Sequence, residues 1–226
     1  MKLSIIIPVY NEKETVLKLL ERVRAVPIDK EIIIVDDGSD DATREILKKI
    51  AADGGVKVIF HERNMGKGSA IRTGLKEVTG DIVLVQDADM EYDPADYPKL
   101  IEPIISGKAM VVYGSRILGK APTRSLIFHY GVKFLSFLTN VLYKSNISDE
   151  ATCYKVFHIS ALKSIELKCR RFEFCPEVTA KILKNGHKIY EVPVSYYPRT
   201  YREGKKINWK DGLAAIWTLI KYRIFD

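Results

Sequence analysis

The hydrophobic positions in the first half of the chain follow two alternating patterns. Short runs rich in Val and Ile, each closed by turn or polar residues, are typical of buried strands. Between these runs, apolar residues recur at helical spacing, as Val16, Leu19, Leu20 and Val23 do. The pattern predicts strands at residues 3–9, 31–35, 56–60, 82–85 and 109–112, and helices at residues 14–26, 42–52 and 68–78.

This alternation is typical of an α/β fold with a mostly parallel, Rossmann-like central sheet and crossover helices. Ligands of such sheets bind beyond the carboxyl ends of the strands. Polar clusters follow three of the predicted strands at those ends: PVYNE at residues 8–12, DDGSDD at 36–41 and DADME at 87–91. We therefore expect the three clusters to meet in one site at this edge of the sheet.

The second half contains two long amphipathic segments, residues 124–144 and 208–226. Polar residues interrupt both, so we expect neither to span a membrane. The second segment has Trp on its apolar side and basic residues beside it, which suits a helix lying in a membrane interface; a helix packed on the domain would show the same pattern. The apolar faces comprise Ile127, Phe134, Leu135, Leu138, Val141 and Leu142 in the first segment, and Trp209, Leu213, Ile216, Trp217, Ile220 and Ile224 in the second.

The length and the charge distribution bound the possible functions. At 226 residues and 46% hydrophobic, the chain is expected to form a single domain over residues 1–226. Residues 1–113 carry 16 Lys and Arg against 20 Asp and Glu, whereas residues 114–226 carry 20 against 9. The basic half predicts a negatively charged partner, unless it is only a solvated basic surface. The standard nucleic-acid-binding motifs are absent from the sequence, so we expect no nucleic-acid partner.

The cysteines and the N-terminal residues favour the cytoplasm. Cys153, Cys169 and Cys175 form no CxxC pair, and an odd, sparse set does not suggest a disulfide framework. The first residues, MKLSIIIPVYNE, contain an apolar run that is too short for the core of a signal peptide and is better explained as a first strand.

The DADME cluster places Asp87, Asp89 and Glu91 on alternate residues at the end of a buried strand. Two carboxylates about 4 Å apart repel by roughly 1 kcal/mol in water and by about 4 kcal/mol at an effective dielectric near 20. A divalent metal ion, a set of arginines and plain solvent are all candidates for the compensating environment. The sequence has no GxGxxG or GxxxxGK[ST] loop, which disfavours a dinucleotide or P-loop site.

Five motifs taken together resemble a family 2 glycosyltransferase with the GT-A fold. They are IIIPVYNE, IIIVDDGSDDAT, NMGKGSAIRTGL, GDIVLVQDADME and GSR, in this order over residues 1–116. The continuation, with its amphipathic helix, DEATCYKVF and EVPVSYYPRTYREGKKINWKDG, is similar to the dolichyl- or polyprenyl-phosphate sugar synthase branch. The resemblance implies that residues 1–113 hold a nucleotide-sugar and that residues 114–226 form a basic half facing the acceptor and the membrane.

The resemblance also implies roles for individual residues. Members of this branch often have Gln at the position of Glu91. The carboxylate of Glu91 adds a second negative charge beside Asp89, and this departure from the pattern bears on which divalent metal ion the site prefers. The residues implied in nucleotide-sugar binding are Pro8, Tyr10, Glu12, Asp37, Lys67, Asp87, Ala88, Asp89, Arg199 and Lys205. The implied ligands of Mg²⁺ or Mn²⁺ are Asp87, Asp89 and Glu91. The residues implied to bind the acceptor phosphate are Arg116, Arg124 and Arg202. The implied catalytic residues are Asp89, Arg116 and Arg202.

The implied reaction is the inverting, metal-dependent transfer of a hexose from a nucleotide-sugar of the GDP-mannose or UDP-glucose type to a polyprenyl or dolichyl phosphate. A phosphate monoester has a second pKa of about 6, so it is already an anionic nucleophile near neutral pH and needs no general base. The alternative is a hydroxyl acceptor with Asp149 as the base. For a lipid acceptor we expect a peripheral protein on the cytoplasmic face of a membrane, in contact with the membrane surface or with a membrane-embedded partner subunit.

Overall fold

The computed structural model describes residues 1–122, 125–199, 206 and 208–225. Strands and helices alternate along most of the chain, with a short 3₁₀ turn at Pro94–Asp96 and two consecutive helices before the last strand. The strands are β1 (Leu3–Val9), β2 (Lys30–Asp36), β3 (Lys57–Phe60), β4 (Ile82–Val85), β5 (Val111–Ser115), β6 (Lys155–His158) and β7 (Ile189–Pro193). The helices are α1 (Val16–Ala25), α2 (Thr43–Asp53), α3 (Lys67–Leu75), α4 (Tyr97–Ile105), α5 (Leu126–Tyr143), α6 (Ile159–Lys163), α7 (Phe174–Lys184) and α8 (Trp209–Ile224).

The described strands form one seven-stranded sheet in the order β3-β2-β1-β4-β6-β5-β7. Neighbouring strands are parallel except at β6, which runs antiparallel to both β4 and β5. The prediction of a mostly parallel sheet with crossover helices is confirmed. Because only β6 is reversed, the other six strands have their carboxyl ends at one edge of the sheet.

The central strands are buried on both faces, which explains their continuous apolar sequences. All seven residues of β1 are buried, and so are all four residues of β4. Helix α1 covers one face with Val16, Leu19, Leu20 and Val23, the set that the sequence pattern had indicated. This packing fixes the position of the sheet edge at which the polar clusters lie.

Some predicted bounds need correction. The structure matches the predictions for β1 and β4, but β5 begins two residues later than expected, at Val111, and α3 ends at Leu75 rather than at residue 78. Strands β6 and β7 were not predicted. Strand β6 begins with Lys155, which is fully buried and donates from Nζ to the carbonyl oxygen of Glu150, and a lysine at such a position conceals the apolar pattern of a buried strand.

Helices α5 and α8 pack against α7 and against each other. The Tyr143 hydroxyl of α5 donates to the Leu219 carbonyl oxygen of α8 at 2.6 Å, and the Tyr222 hydroxyl of α8 donates to Glu177 of α7 at 3.0 Å. Asn208 caps α8, since its side chain accepts from the Lys210 backbone N–H in a capping box. Helix α8 therefore does pack on the domain, as one of the two interpretations of its sequence required.

The same two helices leave large apolar side chains exposed. Ile127 of α5 is 88% exposed and Trp209 of α8 is 72% exposed, whereas the buried positions of α5 are Val132, Ser136 and Thr139. None of the helices in the described ranges is both long and apolar enough to cross a membrane. We call the exposed large apolar residues of α5 and α8 the apolar face. It comprises Leu126, Ile127, Tyr130, Phe134, Phe137 and Val141 of α5, and Trp209, Leu213, Trp217 and Ile224 of α8.

Candidate active site

A cavity of about 350 Å³ lies at the carboxyl ends of the parallel strands. The three polar clusters that follow β1, β2 and β4 meet in its wall, as expected from the sequence, and α5 and α8 also contribute lining residues. Arg124, Arg202 and Lys205 lie outside the described residues. The cavity brings together the other residues that the sequence had singled out: Pro8, Tyr10, Glu12, Asp37, Lys67, Asp87, Ala88, Asp89, Glu91, Arg116 and Arg199.

Two loops at the cavity contain a residue in the left-handed region of backbone space. Asn11, after β1, has a φ of 51°, and Met90, between the carboxylates that follow β4, has a φ of 62°. A bulky residue adopts this conformation only where its surroundings enforce it, at a cost of about 1–3 kcal/mol. The turn at Met90 is closed by a 3.1 Å hydrogen bond from the Glu91 backbone N–H to Asp89, and it places both carboxylates in the cavity wall.

Asp37, at the end of β2, is held from several sides and is only 3% exposed. Its Oδ1 atom accepts hydrogen bonds from the Met65 backbone N–H at 2.9 Å and from the His61 ring at 2.8 Å. Its Oδ2 atom accepts from the Gly66 backbone N–H at 2.7 Å. Since each carboxylate oxygen has two lone pairs, Oδ2 retains acceptor capacity for a ligand in the cavity.

Lys67 and Asp87 form an ion pair inside the cavity. The Lys67 Nζ atom lies 2.6 Å from Oδ1 and 2.8 Å from Oδ2 of Asp87. Burial alone would lower the pKa of Lys67 and raise the pKa of Asp87, but their mutual attraction shifts each pKa in the opposite direction overall. Both groups are therefore charged near neutral pH, and Lys67 places a fixed cation at the beginning of α3.

Among the three carboxylates that follow β4, Asp89 has the least compensated charge. Burial, together with the negative charges of Asp87 and Glu91, raises the pKa of Asp89 to about 7. Arg199 opposes this shift through an Nη2–Oδ2 contact of 3.2 Å. The site therefore favours an additional positive charge beside Asp89, as expected where carboxylates converge in a poorly solvated cavity.

Arg199 connects the loop after β1 to the loop after β4. Its guanidinium group contacts Glu12 at 3.1 and 3.3 Å as well as Asp89, and its backbone N–H donates to Glu91 at 2.6 Å. Lys206 adds a second cation on Glu12, with a distance of 2.8 Å between Nζ and Oε1. The cationic residues near the end of the chain thus contact the carboxylates of the first half directly.

The carboxylates of the cavity are of the ligand type that a divalent metal ion needs. Mg²⁺ and Mn²⁺ prefer oxygen ligands and usually take one or two carboxylates together with substrate phosphates. No group of three or more His, Cys, Asp and Glu side chains in the described part of the chain is arranged to hold a metal. Asp87 is paired with Lys67, and Glu91 accepts from the Arg199 backbone N–H. The set of three carboxylate ligands therefore stays a prediction. Asp89, with its unmatched charge, fits a metal ion that the donor phosphates would complete.

Arg116, at the end of β5, forms a bidentate ion pair with Asp149. The distances are 2.8 Å from Nε to Oδ2 and 2.7 Å from Nη2 to Oδ1, and the Arg116 backbone N–H also donates to Oδ2 at 2.9 Å. Asp149 is completely buried. This geometry does not fit a general base, which must reach the proton of the acceptor. It fits a residue that orients Arg116, whose remaining N–H groups are left for a ligand.

The cavity also contains residues that the sequence did not single out. Phe174, Cys175 and Pro176 at the beginning of α7 line it, together with Arg171 and Glu150. Neither carboxylate oxygen of Glu150 has a hydrogen-bond partner among the described residues, and burial raises its pKa. The packing of α7 brings Phe174, Cys175 and Pro176 to the cavity, and none of the motifs in the sequence includes these three residues.

Comparison with known families gives a match over most of the chain. The family model described as Glycosyl transferase family 2 matches residues 4–166. This range includes β1 from its second residue and all of β2 to β6, and therefore the three polar clusters, Arg116 and Asp149.

Individual relatives match beyond that range. The chain is 32% identical to the UDP-N-acetylglucosamine–dolichyl-phosphate N-acetylglucosaminyltransferase of Methanococcus voltae, over 97% of this chain and 95% of that protein. It is 31% identical to the dolichol-phosphate mannosyltransferase of Pyrococcus furiosus, over 91% of this chain and 59% of that protein.

Among solved structures, the fold is similar to that of glucosyl-3-phosphoglycerate synthase from Mycobacterium tuberculosis, in a complex with Mn²⁺, uridine diphosphate and phosphoglyceric acid. The TM-score is 0.77 at 19% identity, and the match covers 100% of this chain and 79% of that one. At this identity the likeness establishes the fold.

Proposed function

Because the chain belongs to glycosyl transferase family 2 and is therefore a glycosyltransferase, with the GT-A fold, we propose that it transfers a hexose or hexose derivative from a nucleotide-sugar to a polyprenyl phosphate. The names of the Methanococcus and Pyrococcus relatives support a lipid phosphate as the acceptor, since both names include a phosphate ester of dolichol. The reaction breaks the bond between the anomeric carbon and the donor diphosphate and forms one to the acceptor phosphate oxygen.

One observation carries the proposal: the cavity places three paired cations, Lys67, Arg116 and Arg199, around a carboxylate-rich sheet edge. A diphosphate and a phosphate monoester both need positive groups at fixed positions. The cations come from α3, from the end of β5 and from the segment after β7, so they surround the cavity from different sides. This arrangement suits two phosphate-bearing substrates better than one neutral acceptor.

The donor side of the cavity follows from the contacts of Asp37 and Lys67. Asp37 retains acceptor capacity for a base N–H or a ribose hydroxyl, while Lys67 supplies positive charge to the diphosphate. A divalent ion held by Asp89 would add Lewis-acid stabilisation of the charge that develops on the leaving diphosphate. Arg199 contributes to the same stabilisation from the protein, because its guanidinium group already lies against Asp89 and Glu12.

The acceptor side follows from the Arg116–Asp149 pair. The acceptor phosphate is anionic near neutral pH and attacks the anomeric carbon directly, so no side chain has to remove a proton. Asp149 fixes the guanidinium plane of Arg116, which then holds the phosphate in line for an inverting displacement. The complete burial of Asp149 speaks against the alternative with a hydroxyl acceptor and Asp149 as its base.

The apolar face suits the lipid part of this acceptor. Phe128 and Leu135 of α5 and Ala215 of α8 line the cavity, while other residues of these two helices form the exposed apolar face. The Phe128 ring lies 5.7 Å from the Arg116 guanidinium carbon. An isoprenoid chain whose phosphate binds Arg116 would therefore leave the cavity beside apolar side chains. The protein would act as a peripheral protein with α5 and α8 on the membrane surface.

The test is lipid-linked product formation. The purified protein is mixed with labelled GDP-mannose, UDP-glucose or UDP-N-acetylglucosamine, a short polyprenyl phosphate and Mn²⁺ or Mg²⁺, and label is counted in the organic phase. We expect label from one donor, dependent on the metal and abolished by EDTA. Label that enters only water-soluble acceptors would contradict the lipid acceptor, and binding of no nucleotide-sugar would contradict the donor class.

A second prediction concerns the membrane surface. Replacing Leu213 and Trp217 together by Glu should lower binding to vesicles that contain anionic phosphatidylserine by more than about tenfold, because each exposed apolar side chain contributes roughly 1.5–3 kcal/mol when it is buried in lipid. Co-sedimentation at low salt measures the effect. The matched control is Leu17→Glu, an exposed leucine of α1, which should bind like the wild type. Equal binding of both variants would exclude direct contact through α8.

A further inference from the structure

His61 connects two elements that carry residues of the candidate active site. Its Nδ1 atom lies 2.8 Å from Oδ1 of Asp37, and its Nε2 atom lies 2.9 Å from the hydroxyl oxygen of Thr73 in α3. The side chain is nearly buried, with a relative exposure of 8% for the residue. The imidazole ring therefore bridges the carboxylate at the end of β2 and the helix that begins with Lys67.

The donor and acceptor groups around the His61 ring determine which atom donates in its contacts with Asp37 and Thr73. Asp37 accepts backbone hydrogen bonds at both oxygens and is an acceptor only, so His61 Nδ1 carries the proton that faces it. In a neutral imidazole, Nε2 is then an acceptor, and the Thr73 hydroxyl donates to it. Thr73 thus fixes the tautomer in which His61 donates to Asp37.

The backbone of His61 is itself held in place. Its N–H donates to the Asp36 carbonyl oxygen at 2.8 Å, and its carbonyl oxygen accepts from Arg44 Nη1 at 3.0 Å. The ring cannot shift without disturbing the ends of β2 and β3. A side chain anchored at both ends in this way determines the orientation of the Asp37 carboxylate that it contacts.

We infer that His61 is a positioning residue for donor binding, which holds the Asp37 carboxylate so that its free lone pair faces the nucleoside. The inference rests on the proposed function, since it assumes that a nucleotide occupies the cavity. His61 itself lies behind Asp37 and does not line the cavity. Its effect on the reaction therefore acts through donor affinity and not through the chemical step.

The test measures the dissociation constants of UDP and GDP by titration calorimetry and the KM and kcat for the donor. His61→Leu removes the donor to Asp37 and should weaken binding of the preferred nucleotide about tenfold, with kcat at saturating donor within about threefold of the wild type. His61→Asn restores an N–H near the position of Nδ1 and should bind within about threefold of the wild type. Thr73→Val should also weaken nucleotide binding, although Thr73 does not contact Asp37, because the substitution removes the hydroxyl that fixes the His61 tautomer.

The control is His187→Leu, at the amino end of β7 and hence at the sheet edge opposite the cavity. It should leave nucleotide affinity unchanged. Equal affinities of His61→Leu and the wild type, or equal losses in His61→Leu and His61→Asn, would overturn the positioning role. A wild-type protein that binds neither UDP nor GDP would overturn the proposed function and this inference with it.

Discussion

Replacing Asp89 by Asn is expected to lower the rate of lipid-linked product formation roughly 100-fold or more. Of the three carboxylates that follow β4, Asp89 is the one whose charge is least matched by the protein, and its loss removes the best ligand among them for a metal ion at the donor diphosphate. The variant should also lose binding of Mn²⁺ in the presence of the nucleotide, measured by electron paramagnetic resonance. The matched control is Asp53→Asn, an exposed carboxylate at the end of α2, which should retain full activity.

The same substitution should not destabilise the fold. The pKa of Asp89 is about 7 in the folded protein and near 4 in an unfolded chain, so its ionisation opposes folding. This cost develops as the pH rises from about 4 to 7 and is complete above 7. Without metal, Asp89→Asn should therefore have a higher Tm than the wild type at pH 8, and the difference should shrink as the pH falls below 7 and vanish towards pH 4. A lower Tm at pH 8 would show that the contact with Arg199 outweighs the repulsion.

The second large effect is expected on stability. Asp149→Ala leaves Arg116 with an uncompensated, largely buried charge, which costs about 3–5 kcal/mol of the free energy of unfolding. Urea denaturation followed by circular dichroism measures this loss. The exposed control Asp53→Ala should stay within about 0.5 kcal/mol of the wild type.

A double replacement separates the charge from the packing. Arg116→Met combined with Asp149→Leu removes both charges and should recover most of the stability, because buried ion pairs are often replaced by apolar residues at little cost. The double variant should remain inactive, since the cation for the acceptor phosphate is gone. If Asp149→Ala lost less than about 1 kcal/mol, water in the cavity would be sufficient to solvate Arg116.

Physical reasons decide which parts of the fold could be predicted from the sequence. Strands β1 and β4 were predicted to the residue because burial on both faces gives continuous apolar runs. Strand β6 was missed because it begins with Lys155, which is buried through hydrogen bonds to the Glu150 carbonyl oxygen and to Thr179 of α7, and no local pattern reveals the second partner. The two amphipathic segments were located, but periodicity alone did not distinguish their packed side from their exposed side.

The candidate site likewise contains some features that the sequence predicts and others that it does not. Its carboxylates were found from the sequence because the ends of parallel strands must meet at one edge. Their partners were not predicted. The contact between Asp89 and Arg199 joins residues 110 positions apart, and the burial of Asp149, which bears on its suitability as a base, is set by β5 and the loop before β6. Charge pairing and solvent access depend on the assembled structure, whereas motif positions do not.

The hydrogen bonds between α8 and the rest of the molecule have a consequence for synthesis on the ribosome. Helix α8 is the last described element to be translated, yet Glu177 of α7 and Tyr143 of α5 both have partners on it. Until it emerges, α5 and α7 lack one packing neighbour and keep additional surface open to solvent. The nascent chain therefore passes through a stage in which the sheet can be complete while the surface of α5 and α7 that α8 covers is still exposed, and exposed surface of this kind favours association with other chains or capture by chaperones.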